Sequence, residues 1–120
     1  MKHALAQLNK TSGVLGSAVL APDGLVIASQ ASTELEDEEM WQHALRAFQA
    51  FAGLAEACGC GETVSAALEW ENGKLVVRTL PQGILLAAAD SACPLGPIQV
   101  AVDHAAAAIC ATGVEQDAAA

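Results

Sequence analysis

The side chains able to do chemistry are few in this chain, and their spacing assembles no familiar active site. Three histidines, His3, His43 and His104, lie far apart, and each reads as a surface or locally satisfied imidazole rather than a general base. The cysteines Cys58, Cys60, Cys93 and Cys110 match neither a zinc-ligand spacing nor a disulfide framework. Cys58-Gly59-Cys60 is the close pair; metal or redox use of it stands against the simpler reading of reduced thiols serving as small apolar residues. Glu34, Glu36, Asp37, Glu38 and Glu39 are dense enough to suggest a cation site. They fall where a helix begins, however, and the positive end of a helix dipole accounts for them without a ligand. No G-x-x-x-x-G-K-[ST] phosphate loop occurs, and Gly13-Val14-Leu15-Gly16 opens a strand rather than a helix. A G-x-S-x-G elbow is also missing, so Gly16-Ser17 reads as close packing inside a strand. These residues predict a protein that is not an enzyme, with no catalytic residue, no bound metal and no cofactor.

Composition narrows the partners. With 120 residues the chain is large enough for one core without staples. Its formal charge of −9 argues against nucleic acid and anionic membrane surfaces, both of which need a basic footprint. No run reaches the roughly 18 apolar residues of a membrane span, so direct membrane insertion is not expected, and the expected location is cytoplasmic. The core must be built of small residues: 53% of the chain is apolar, yet it has two Trp, two Phe and no Tyr.

One stretch organises the rest. Residues 33–58 read as a single long amphipathic helix, with Thr33 and Glu36 as a capping box and Gly59 and Gly61 as the stop. At about 100° per residue, Trp41, Ala44, Leu45, Phe48, Ala52 and Ala55 form one stripe. Met40, Ala47, Phe51, Leu54 and Cys58 form a second beside it. The remaining arc carries Gln42, His43, Arg46, Gln49 and Glu56. A helix lying on one core needs an apolar arc of about 100°, and the two stripes together cover roughly half the circumference. One stripe therefore packs on the domain's own sheet and the other on a second protein surface. A helix sunk deeper into a monomer core is the alternative.

The other elements follow in order. Residues 1–10 predict a short helix with Met1, Ala4, Leu5 and Leu8 inward. Strands over 14–21 and 25–29 flank Pro22-Asp23-Gly24, and strands over 63–70 and 74–80 flank Glu71-Asn72-Gly73; both turns are hairpin signals. Along 63–70, Val64, Ala66, Leu68 and Trp70 share one face. Pro81-Gln82-Gly83 leads into 84–89, apolar throughout as a central strand should be. A last helix begins between Pro94 and Pro97 and buries Ile98, Val102, Ala105 and Ile109. Tight turns make consecutive strands antiparallel, so the class is α+β, a five-stranded sheet with helices packed on it. Residues 1–113 are expected to form one domain, followed by a frayed tail at 114–120.

With its elements in this order the chain resembles the Roadblock family of dynein-light-chain-type domains. The likeness rests on Gly13-Val14-x-Gly16-Ser17-Ala18-Val19, on Pro22-Asp23-Gly24-Leu25-Val26-Ile27-Ala28-Ser29, on Glu69-x-x-x-Gly73-Lys74-Leu75-Val76-Val77 and on Gly83-Ile84-Leu85-Leu86. It implies a Roadblock-like, profilin-like sandwich: a five-stranded antiparallel sheet with one long helix on one face and two shorter helices on the other. It also implies a homodimer in which third strands join into one sheet and long helices lie side by side. Met40, Ala47, Phe51, Leu54, Val64, Ala66 and Leu68 would then form the dimer interface. Such dimers are platforms for Ras-like small GTPases, and the nearest prokaryotic analogy, mutual gliding motility protein B, stimulates hydrolysis by its partner GTPase. The resemblance thus implies a module that binds and regulates a Ras-like small GTPase through Gln42, His43, Arg46, Gln49 and Glu56. A light-chain-like structural adaptor or scaffold with no GTPase partner is the alternative. Arg46 could in principle act as an arginine finger; a solvated surface arginine is the plainer reading, and reshaping of the partner's switch segments the favoured mode of action.

Overall fold

Hairpin turns set the sheet. Trp70 and Gly73 face each other across the two-residue turn Glu71-Asn72, and Ala21 N–H donates to Leu25 O at 2.8 Å across Pro22-Asp23-Gly24. The computed structural model describes residues 1–31 and 38–119, the side chains of 38 and 112–119 excepted. Along the chain come α1 (Lys2–Asn9), β1 (Val14–Leu20), β2 (Val26–Ala31), α2 (Glu38–Ala57), β3 (Ser65–Trp70), β4 (Gly73–Leu80), β5 (Gly83–Ala89) and α3 (Leu95–Ala119). The strands form one five-stranded sheet in the order β2-β1-β5-β4-β3, antiparallel at every junction. β5 lies in the middle, which is why its residues are nearly all buried. β2 and β3 are the edges.

Alternation of side chains divides the core into two layers. On one face Ala4, Leu5 and Leu8 of α1 and Ile98, Val102, Ala105 and Ile109 of α3 pack with Val19, Val76, Leu85 and Ala87 of the sheet. On the other, Trp41, Leu45 and Phe48 of α2 pack with Ala18, Leu20, Leu75, Val77 and Leu86. The sheet thus carries α2 alone on one face and α1 with α3 on the other. A polar tie fixes α1: buried Ser17 donates its hydroxyl to Asn9 Oδ1 at 2.8 Å, and Asn9 Nδ2 donates to Gln30 O at 2.7 Å.

One element differs from the sequence expectations. α3 continues through Ala119 and, at 25 residues, exceeds the 20 of α2. The tail expected to fray carries Glu115, Gln116 and a run of alanines, good helix formers, and the helix continues through it to Ala119. The capping box of Thr33 and Glu36 lies outside the described residues. The other end of α2 is fully defined. Gly59 N–H donates to Glu56 O at 3.0 Å and Cys60 N–H to Ala55 O at 2.9 Å, with Gly59 at φ 72°. That is a Schellman cap, in which glycine takes the left-handed conformation that closes the helix.

β5 meets β1 through an unusually close approach. A Cβ built on Gly83 would collide with the Leu20 carbonyl oxygen, so only glycine lets β5 begin against the end of β1.

Candidate partner-binding surface

α2 buries one stripe and leaves the other open. Trp41 is 1% exposed, and Leu45 and Phe48 are buried, whereas Phe51 is 47% and Leu54 61% exposed. Phe48 is the last residue of α2 to be buried; from there to the cap the helix runs past the cover its own sheet provides. Met40 is half-buried and Ala47 exposed, so the open stripe is continuous along the helix. Keeping a leucine or phenylalanine in water forgoes about 1.5–3 kcal/mol relative to full burial. Two such residues on one stripe are therefore a driving force for association.

The open stripe faces one edge of the sheet. Met40, Ala44 and Ala47 line a groove of about 290 Å³ with Leu68 and Trp70 of β3 and Leu75 of β4. β3 is an edge strand without proline. On the α2 face of its hairpin arm Ala66 and Leu68 are half-buried, while Val64 is 59% and Trp70 58% exposed. Such an edge presents unpaired backbone groups beside apolar side chains, a ready template for another strand. Trp70 belongs to this surface but was not among the interface residues expected from sequence. Its place at the end of the alternating face was the signal that could have found it.

The five polar residues of α2 do not form one cluster. Gln42 Nε2 donates to Gly24 O at 3.5 Å and Gln49 Nε2 to Pro22 O at 3.2 Å, so both hold the β1–β2 turn against the helix. Arg46 is exposed beside them in a groove that also includes Asp23. His43 lies on the opposite flank, in the groove with Met40 and Trp70, and approaches Glu39 at 3.8 Å. Glu56 stands at the far end, near Gly61, Glu62 and Thr63. Sequence spacing placed these residues on one arc but could not reveal that a turn from β1–β2 rises to meet part of it.

The remaining reactive residues stay dispersed. Cys58, Cys60 and Cys110 are exposed free thiols and Cys93 is half-buried. Among the described residues no group of three or more His, Cys, Asp or Glu is placed to hold a metal ion. His3 and His104, remote in sequence, line one groove between α1 and α3. Among the described residues no helix is long and apolar enough to cross a membrane.

Comparison with known proteins places this architecture. Residues 2–90 match the Roadblock/LC7 domain. The uncharacterized protein MJ0310 of Methanocaldococcus jannaschii is 37% identical over 104 residues, covering 87% of this chain and 91% of that protein. Among solved structures, MglB of Myxococcus xanthus superposes with a TM-score of 0.84 at 17% identity, covering 94% of both chains. A Roadblock/LC7 domain from Streptomyces avermitilis superposes with a TM-score of 0.82 at 14% identity, covering 91% of this chain and 93% of that one. At such identities the superpositions speak to the fold. Together with the domain match over most of its length, they show that the chain belongs to the Roadblock/LC7 domain family.

Proposed function

We propose that the protein is a homodimeric interaction module that binds and regulates a Ras-like small GTPase in the cytoplasm, doing no covalent chemistry and needing no cofactor. One observation carries the reading: α2 spends a single stripe on its own sheet and leaves Phe51 and Leu54 in solvent, while Met40 and Ala47 of the same open stripe line a groove with the unpaired β3 edge. In the dimer, Met40, Ala47, Phe51 and Leu54 of one protomer meet those of its partner, while Val64, Ala66 and Leu68 lie along the joined edges. The polar faces of two α2 helices then form one shared platform. Arg46, with Gln42 and Gln49 and the turn they hold, supplies its cationic part; His43 and Glu56 supply the two ends.

The likeness in fold to MglB supports the choice of a small GTPase as partner. Regulation would act by reshaping the GTPase switch segments, for which a rigid helical platform suffices. The test is to load small GTPases from the same genome with GTP, mix each with the purified chain, and follow co-elution and hydrolysis rate. One GTPase is expected to co-elute and to change its rate. If none does either, while scaffold proteins are captured instead, the module is a light-chain-like adaptor and the GTPase reading is wrong.

A further inference from the structure

The backbone of β3 fixes which residues can face a second copy. Val64 O accepts from Thr79 N–H at 2.9 Å, and Trp70 pairs with Gly73 across the hairpin. Residues 64, 66, 68 and 70 therefore direct their backbone polar groups toward β4, and Ser65, Ala67 and Glu69 direct theirs to the free edge. A two-fold pairing of β3 with its copy must keep like faces together, because a one-residue slip exchanges the faces of the sheet. Registers centred on Ala66, Ala67 or Leu68 all meet that condition.

The side chains separate the three. Resting on the homodimer reading above, we propose that two β3 strands join in the register centred on Ala67, with Trp70 of each copy seated against Val64 of the other. On the α2 face this places Trp70 in contact with Val64, the two most exposed side chains of that face of the hairpin arm, and sets Leu68 opposite the small Ala66. On the other face it builds a row of charge. Lys74 pairs with Glu69 within one copy, at 3.6 Å. Glu69 comes opposite Ser65 of the second copy, and Ser65 is the β4-neighbour of Arg78, which is held by Asp103 at 2.8 Å. Serine is small enough for the glutamate and arginine to meet across it. Positive and negative groups then alternate from Lys74 and Glu69 of one copy to Arg78 and Asp103 of the next.

The other registers lack this match. Centring on Leu68 sets Glu69 beside Ala67 and the buried Val76 behind it, and leaves Val64 facing the hairpin turn. Centring on Ala66 sets Trp70 against Glu62 and Glu69 against Thr63.

Site-directed cross-linking tests the register. In a background with Cys58, Cys60 and Cys110 replaced by Ser and Cys93 by Ala, single cysteines are introduced as Ala66→Cys, Ala67→Cys or Leu68→Cys. Residues on the two-fold axis approach within disulfide range, so mild oxidation should link the Ala67→Cys protein about tenfold faster than either neighbour. Fastest linkage by Ala66→Cys or Leu68→Cys, or equal linkage by all three, overturns the register while the dimer stands. The mass of each unoxidised variant separates the two levels: a monomer at every concentration removes the dimer and the register with it.

Discussion

Leu54→Ala isolates the association energy of α2 from its folding energy. In the single chain Leu54 is 61% exposed, so truncation removes little that the fold already uses. Leu→Ala deletes three carbons, each worth about 0.8 kcal/mol when moved from water to an apolar contact. Scaling by the exposed fraction gives about 1.5 kcal/mol per protomer, and two-fold symmetry makes this about 3 kcal/mol per dimer. The dimer dissociation constant should therefore rise about 100-fold. Sedimentation equilibrium over a dilution series measures it, with far-ultraviolet circular dichroism confirming that helix and sheet persist. A dissociation constant within about threefold of the parent, with the fold intact, would refute the claim that this stripe is covered by a second copy. So would a variant that unfolds outright, since it would show that Leu54 serves the monomer core.

Three further outcomes follow from the packing. Gly83→Ala drives a Cβ into the Leu20 carbonyl oxygen and should cost about 2–4 kcal/mol of stability, read by urea denaturation; a loss below about 1 kcal/mol would mean that β1 and β5 separate easily. Ser17→Ala leaves Asn9 Oδ1 without its buried donor and should cost about 1–2 kcal/mol by the same assay, with the dimer mass unchanged. Arg46→Glu reverses the exposed cation of the platform and should weaken capture of the GTPase by about tenfold or more without altering dimerisation; unchanged capture would move the binding surface off this part of α2.

What the sequence disclosed was local periodicity. The alternation of Val64, Ala66, Leu68 and Trp70, the Asn72-Gly73 turn and the twin stripes of α2 each reflect an arrangement repeated within a few residues, and each can be followed to its place in the fold. Pairings between distant segments were not accessible in that way. Nothing near Gly83 announces that Leu20 O lies against it, because the constraint is a meeting of β1 and β5 across the middle of the sheet. Gln42 and Gln49 looked like free members of a polar arc for the same reason: their acceptors, Gly24 O and Pro22 O, belong to a hairpin tip that only tertiary packing brings to α2. The shared groove of His3 and His104 likewise depends on α1 lying beside α3. Periodicity identified which face of α2 was surplus, and topology decided which sheet edge it faces.

The homodimer is the step on which the GTPase platform, the paired helices and the joined edges all depend, and the mass of the full chain in solution tests it most directly. Sedimentation velocity of the purified protein should give a single species of twice the 12.2 kDa chain mass, which shifts to a heavier complex when the cognate GTP-loaded GTPase is added. A 12.2 kDa species at the highest soluble concentration, unmoved by any GTPase, would contradict it.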